Sequence, residues 1–235
     1  MSNLFTVTTP FQAGGTSHLV VLGLTAALTF LMIALARCHF HRSARVGEWI
    51  LAIILVLQFP VNIYIAWRMG TLSASTNLPC HLCDFASFIG AYALIKKRPL
   101  ACELLYFWGI AGTMQGLLTP ALTYDWPHPR FIVFFALHGG VVLAALYVVF
   151  GRRQIPRKGA VLVAFQLLAV YALLAGTADF FTGGNYGFLR SKPPTASLLD
   201  HLGPWPWYIG SLLLLSLTIF ALLDLPFRRQ RKQGG

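Results

Sequence analysis

Seven long apolar runs, separated by short polar or basic segments, dominate the hydropathy pattern of this chain. Each run is long enough to cross a bilayer as a helix, which takes roughly 20 mostly apolar residues. The runs cover residues 18–36, 48–67, 79–96, 100–118, 130–150, 159–178 and 205–225. This pattern predicts an all-α, polytopic membrane protein with seven transmembrane helices.

Composition agrees with a membrane protein and argues against a soluble one. Hydrophobic residues make up 57% of the 235 positions and charged residues only 11%, whereas soluble domains carry about 25% charged residues. The net charge of +11 resembles that of a nucleic-acid-binding protein. The basic residues, however, form short clusters between apolar runs, which is typical of topology signals. We therefore expect no nucleic-acid partner.

The distribution of basic residues predicts the orientation. Fourteen of the 18 Lys and Arg residues follow the first, third, fifth and seventh runs. By the positive-inside rule these segments are cytoplasmic. The prediction is a short extracytoplasmic N-terminal tail (residues 1–17), a seven-helix transmembrane domain (residues 18–226) and a basic cytoplasmic tail (residues 227–235).

The sequence LPCHLCD, residues 78–84, is the strongest candidate site. It places Cys80, His81, Cys83 and Asp84 at the start of the third run, within roughly 8 Å of its outer end at 1.5 Å per residue. Ionisable groups at membrane depth are costly, so by default they mark a site. Cys80, Cys83 and Asp84 share one face of a helix by their spacing of three and four.

His138 is the second candidate, about 12 Å below the outer end of the fifth run. Apolar residues precede it, and Gly139 and Gly140 follow, which would let another helix approach closely. It could be a structural histidine bonded to a backbone carbonyl, or it could meet the third run at the same depth. Asn62 and Gln115 lie toward the outer ends of the second and fourth runs.

Three chemistries fit these residues. Cys80 or Cys83 could attack an acyl carbonyl, with His81 or His138 as the base and Asp84 orienting that base. The CxxC spacing at a helix start also fits a thiol–disulfide oxidoreductase. Two thiols and two imidazoles could instead complete a Cys2His2 metal site. The simplest alternative is that the cysteines pack as small hydrophobic residues.

The loop formed by residues 179–203 is predicted to be an outer lid. Asn185 and Tyr186 can hydrogen-bond a headgroup or the base, and Arg190 and Lys192 can hold a phosphate. Basic residues are otherwise scarce on the outer side. The alternative is that Arg190 and Lys192 snorkel at the interface beside the following tryptophans.

Several of these motifs resemble the YwaF family of bacterial membrane proteins. The resemblance is carried by LPCHLC in the third run, the histidine of the fifth, and NY, LR, KP, SLLD and GPWP between Asn185 and Pro206. That family is similar to a eukaryotic transmembrane protein that acylates ether lysophospholipids through a cysteine in a Pro-Cys-His sequence, which corresponds here to Pro79, Cys80 and His81. YwaF members carry an aliphatic residue at the position of Cys80 and keep the cysteine at Cys83.

The resemblance and the residues together predict an acyltransferase or acyl-ester hydrolase acting on membrane lipids, located in the bacterial cytoplasmic (inner) membrane. The alternatives are a transporter or receptor for a small lipid-like ligand and a CxxC thiol–disulfide oxidoreductase. Membrane lipids are the expected partners, no cofactor or metal is expected, and the oligomeric state stays open.

Overall fold

A computed structural model describes residues 9–38, 40–194 and 197–233 of the chain. The first eight residues of the predicted N-terminal tail and the last two residues of the predicted basic tail lie outside these ranges. Within them the regular elements are all helical. The main helices are α1 (Thr16–Arg37), α2 (His41–Arg68), α3 (Leu82–Lys96), α4 (Pro99–Trp108), α5 (Met114–Leu118), α6 (Pro129–Leu146), α7 (Ala160–Thr182) and α8 (Trp207–Gln233).

Shorter helical pieces complete the fold. A π-helical turn, Gly109–Thr113, joins α4 to α5, and another, Tyr147–Gly151, extends α6. Two 3₁₀ turns, Tyr186–Phe188 and Leu198–His201, lie between α7 and α8. Single-turn π segments inside helices are often found at functional sites.

Five of the helical segments in the described part of the chain are long and apolar enough to cross a membrane. They are α1, α2, α6 with its π turn, α7 and α8. An all-α, multi-pass membrane protein is thereby confirmed. Of the two other predicted spans, α3 has 15 residues, about 22 Å of helix, and α4–α5 is interrupted by its π turn.

Helix α3 lies at the centre of the molecule, packed against α2, α4 and α6. All but one of its buried residues are small, among them Ala86, Gly90, Ala91 and Ala93. Small residues let helix backbones approach closely where lipid supplies no hydrophobic driving force. Large apolar side chains instead point outward from the peripheral helices, such as Phe180, which is 82% exposed. This inside-out distribution is expected of a protein surrounded by lipid.

The chain runs back and forth between two ends, which we name by their side chains. The thiol end holds residues 78–84, the starts of α3, α6 and α8, and the ends of α2 and α7. The arginine end holds the opposite helix termini with Arg152, Arg157 and Arg231. There, three buried carboxylates each pair with an arginine: Glu48 with Arg152, Glu103 with Arg157 and Asp224 with Arg231.

Candidate functional site

The backbone at the thiol end explains why Cys80 and His81 precede α3 rather than belonging to it. His81 is the N-cap residue and has an extended backbone (φ −75°, ψ 150°). The Asp84 carboxylate accepts a hydrogen bond from the backbone N–H of His81 at 3.2 Å, and a negative charge in the first turn also suits the helix dipole. Asp84 is therefore fixed at the start of the helix.

Cys80 lies in this irregular stretch, half-buried. Its backbone carbonyl accepts a hydrogen bond from the hydroxyl of Tyr171 on α7 at 3.0 Å. Burial raises the pKa of the Cys80 thiol, and the charges of Asp84 and Asp179 raise it further. The thiol is thus protonated near neutral pH, so that a nucleophilic role needs a base at the moment of attack.

Tyr186, in the loop after α7, connects that loop to the segment that precedes α3. Its side chain is fully buried, and its hydroxyl donates to the carbonyl of Ala74 at 2.7 Å and accepts from the N–H of Leu78 at 2.9 Å. Its ring meets that of His81 edge-on, with centroids 5.1 Å apart. Gly184 allows the loop to lie close to the segment before α3, since a Cβ there would lie 2.7 Å from the carbonyl oxygen of Ser75.

Asp179 was not among the predicted site residues, because α7 was expected to end before it. The helix instead continues to Thr182 and ends at Gly183, whose φ of +70° suits a C-terminal glycine. The Asp179 side chain is 1% exposed, and its Oδ1 accepts from the N–H of Tyr186 at 2.6 Å. An acidic residue at the end of an apolar run was the available sequence signal.

His138 is buried on α6. Its Nδ1 donates to the carbonyl of Phe134 at 2.8 Å, which leaves the lone pair on Nε2. The ring stacks on that of Phe134, with centroids 4.1 Å apart, and lies against Gly116, where a Cβ would be 2.5 Å from Nε2. His138 therefore contacts the preceding turn of its own helix and, at Gly116, the neighbouring α5.

A cavity of about 180 Å³ opens beside Asp84. Its polar lining includes Gln58 and Asn62 from α2 and Arg130 from α6, and Phe134 closes its apolar side. Ligand pockets usually measure roughly 300–1,000 Å³, so this cavity can hold part of a headgroup and not a whole lipid. The structure thus places two of the predicted residues, Asn62 and Asp84, in one cavity.

The predicted lid residues hold the loop in shape. The Asn185 side chain accepts from the N–H groups of Arg190 and Ser191, both at 3.0 Å, and donates to the Ser191 carbonyl. The Arg190 guanidinium donates to the backbone carbonyls of Asp179 and Gly184. Their predicted roles in ligand binding stay predictions.

The two remaining predicted substrate-binding residues are Lys192 and Gln115. The Lys192 ammonium donates to the backbone carbonyl of Asp200 at 3.4 Å and lies over the Tyr208 ring. Gln115 is half-buried on α5, next in sequence to the Gly116 that His138 contacts. Their predicted substrate-binding roles also stay predictions.

The thiols have two further properties that bear on their chemistry. Cys80 and Cys83 are both free, and Cys83 packs with the apolar core in the first turn of α3. Within the described residues, no group of three or more His, Cys, Asp and Glu side chains could hold a metal ion. The Cys2His2 arrangement considered above therefore has no geometric support.

Comparison with known proteins places the chain among membrane proteins. Residues 13–224 match the TMEM164 family. An uncharacterized protein of Treponema pallidum (strain Nichols) is 31% identical over 220 residues, which span 87% of this chain and 83% of the relative. No solved structure matches the chain.

Proposed function

Since this chain belongs to the TMEM164 family, we propose that it is an intramembrane enzyme that transfers or hydrolyses the acyl chains of membrane lipids. The observation that carries the proposal is that the thiol end holds a cysteine and a histidine beside a carboxylate and a cavity. There Cys80 and His81 lie in an irregular stretch held by Tyr171 and Tyr186, next to Asp84 and its cavity. The YwaF resemblance leads to the same chemistry.

The proposal includes seven spans with the thiol end outside. Helix α3 and the interrupted α4–α5 segment supply the two spans beyond the five long apolar helices. At about 22 Å, α3 is shorter than a typical span, and it packs against α2, α4 and α6. The basic clusters at the arginine end favour a cytoplasmic location for that end, in the inner membrane of a bacterium.

In the first chemical step, the Cys80 sulfur attacks the ester carbonyl of a donor lipid. The C–S bond forms, the C–O bond breaks, and the lipid leaves as a lysolipid. The proton of the thiol passes to a neighbouring imidazole and from there to the leaving oxygen. No oxidant, metal or cofactor takes part in this balance.

In the second step, the hydroxyl group of an acceptor lysolipid attacks the thioester. A new C–O bond forms, the C–S bond breaks, and the hydroxyl proton returns to the sulfur through the same base. With water as the acceptor the product is a free fatty acid. The ratio of acyl transfer to hydrolysis depends on how well the loop of residues 179–203 excludes water.

We assign the nucleophile to Cys80 and keep Cys83 as the residue to compare it with. Cys80 lies in the irregular stretch before α3, where its backbone carbonyl accepts a hydrogen bond from Tyr171, whereas Cys83 lies in the first turn of the helix. Both cysteines pack against the apolar core. His81 and His138 are the two candidates for the base. Asp84 fixes the start of α3, and Asn62 with Asp84 would contact the polar part of the lipid in the cavity. Tyr186, Asn185, Arg190, Lys192 and Gln115 would support that contact.

The test is the acyl composition of cellular lipids, measured by mass spectrometry in cells that express each variant at the same level. We expect Cys80→Ser to abolish the change that the wild-type protein produces. Cys38→Ser is the matched control, because Cys38 is exposed at the arginine end. If Cys83→Ser alone abolished the change, the nucleophile would be Cys83.

Unchanged lipids with the wild-type protein and both variants would contradict an acyl-transfer function. A lipid-like ligand that still bound after both thiols were replaced would indicate a transporter or receptor. Reversible pairing of Cys80 with Cys83, seen as a mass shift of two hydrogens after oxidation and trapping, would indicate the oxidoreductase, and indifference to the loss of Cys80 would exclude it.

A further inference from the structure

We propose that Asp179 is a positioning residue, which holds the imidazole of His81 in place and stabilises it once it has taken the proton from Cys80. Asp179 acts through His81 and contacts neither the thiol nor the lipid in this account. The inference rests on the proposed function, because it names the residue that makes His81 the base.

The state of the Asp179 carboxylate is the first observation. The side chain is 1% exposed, and its Oδ1 accepts from Tyr186 while its Oδ2 has no hydrogen-bond partner within the described residues. Arg190 donates to the backbone carbonyl of Asp179 and not to its carboxylate. A buried carboxylate left unpaired is costly, and an asparagine could accept the same single bond without a charge.

The second observation is the path from this carboxylate to His81. Tyr186 donates its N–H to Asp179, and its ring packs edge-on against His81. Phe188, two residues later, packs on the same imidazole with centroids 5.8 Å apart. The imidazole therefore lies between two rings of the loop that the carboxylate anchors.

The charges around His81 identify Asp179 as its electrostatic partner. Burial lowers the pKa of His81, and the Asp179 carboxylate opposes that shift. The other titratable groups nearby are Cys80, Asp84 on α3, Tyr186 in the loop and His138 on α6. The Asp84 carboxylate accepts from the backbone N–H of His81, but it is the Asp179 charge that acts on the imidazole.

This arrangement has a consequence for the proton of the thiol. As the Cys80 sulfur attacks the carbonyl, the proton moves to His81 and creates an imidazolium, held between the rings of the loop that Asp179 anchors. The imidazolium then gives that proton to the leaving oxygen. The proton passes from the sulfur through the imidazole to the leaving oxygen, so no further reactant is needed.

The test is the pH dependence of Cys80 alkylation by iodoacetamide, measured on the purified full-length protein and read at Cys80 by fragment mass spectrometry. Protonation of His81 should appear as an inflection in the wild-type profile. In Asp179→Asn we expect that inflection to move to lower pH by about one unit, because an opposite charge is lost. Asp179→Glu should restore it, and Asp200→Asn, an exposed carboxylate in the same loop, should leave it unchanged.

Acyl turnover on phospholipid vesicles is measured with the same proteins. We expect Asp179→Asn to lower it roughly tenfold or more, a part of the ~10²–10⁴ that a positioned acid–base group supplies. An Asp179→Asn profile identical to wild type would overturn the inference, whatever the turnover. Wild-type protein without turnover would contradict the proposed function alone, because the alkylation profile would still report on Asp179. If Asp179→Asn fails to fold, His81→Gln is the second measurement, and a wild-type inflection that persists in His81→Gln would overturn the inference, because the inflection would then not report the protonation of His81.

Discussion

At the arginine end, buried carboxylates are neutralised by arginines, whereas at the thiol end they are not. Glu48, Glu103 and Asp224 are each at most 6% exposed and pair with an arginine. Within the described residues, Asp84 and Asp179 have no Lys or Arg within ion-pair distance and bond only to backbone N–H groups. The pairs at the arginine end stabilise the helix packing, and the unpaired carboxylates mark the end where we expect chemistry.

The pair of Glu48 and Arg152 shows what the arginine end contributes. The Arg152 guanidinium lies 2.6 Å from Glu48 and also donates to the carbonyls of Ala93 and Leu94 at the end of α3. The Tyr147 hydroxyl donates to the same carboxylate at 2.6 Å. One ion pair thus joins α2, α3 and α6.

The largest expected effect is therefore at this end. Arg152→Met should lower the free energy of unfolding by about 3–5 kcal/mol, because it removes the buried arginine from the buried Glu48 carboxylate. Unfolding in detergent micelles, followed by circular dichroism, measures it. The double variant Glu48→Gln with Arg152→Met should recover most of the loss. An unchanged unfolding curve for the single variant would show that the ion pairs at the arginine end do not stabilise the fold, and would contradict the difference between the two ends.

An intermediate effect is expected from Tyr186→Phe at the thiol end. The variant keeps the ring but loses the hydroxyl bonds to Ala74 and Leu78, each worth about 1 kcal/mol. We expect unfolding to become easier by about 1–2 kcal/mol and Cys80 to react faster with iodoacetamide, as the loop loosens. A Tyr208→Phe variant, whose hydroxyl also bonds to a loop carbonyl, controls for general loosening and should leave Cys80 less affected.

A smaller effect on stability is expected from Asp84→Asn. Asparagine can still accept the bond from the His81 N–H, and helix N-termini tolerate it, so the free energy of unfolding should change by less than about 1 kcal/mol. Acyl turnover should nevertheless fall, because the charge beside the thiol and the cavity is lost. Destabilisation as large as that of Arg152→Met would show that the two ends do not differ.

The smallest effect concerns pH. Burial lowers the pKa of His81 below its ordinary value of 6.5, so the unfolded chain binds a proton that the folded protein does not. His81 should therefore reduce stability as pH falls below about 6.5 and have no effect above it. Stability curves between pH 5 and 8 should be flatter for His81→Gln than for wild type. Equal slopes would show that His81 is not buried as described.

The helices could be predicted from the sequence, because their apolar runs are set by the thickness of a bilayer. The start of α3 was also predictable in outline, since Pro79 precedes it and polar residues crowd its first turn. The partner of His81 could not be predicted. Asp179 is connected to His81 only through Tyr186. The conformation of that loop does not follow from any periodic pattern in the sequence.

Tertiary packing also decides the surroundings of His138. The ring stacks on Phe134, one turn earlier on the same helix, and this contact follows from helical spacing. Its contact with Gly116 comes from another helix, and depends on how α5 passes α6. Sequence spacing defines a face of a helix, but not the neighbour that this face meets.

The account depends most directly on whether Cys80 carries an acyl group during the reaction. The purified protein would be incubated with phospholipid vesicles, quenched, and its intact mass and the acylated position measured with and without neutral hydroxylamine. We predict an acyl adduct on Cys80 that hydroxylamine removes, as expected of a thioester, and that is missing in Cys80→Ser. Lipid turnover without any adduct on Cys80, or an adduct that persists in Cys80→Ser, would contradict the account.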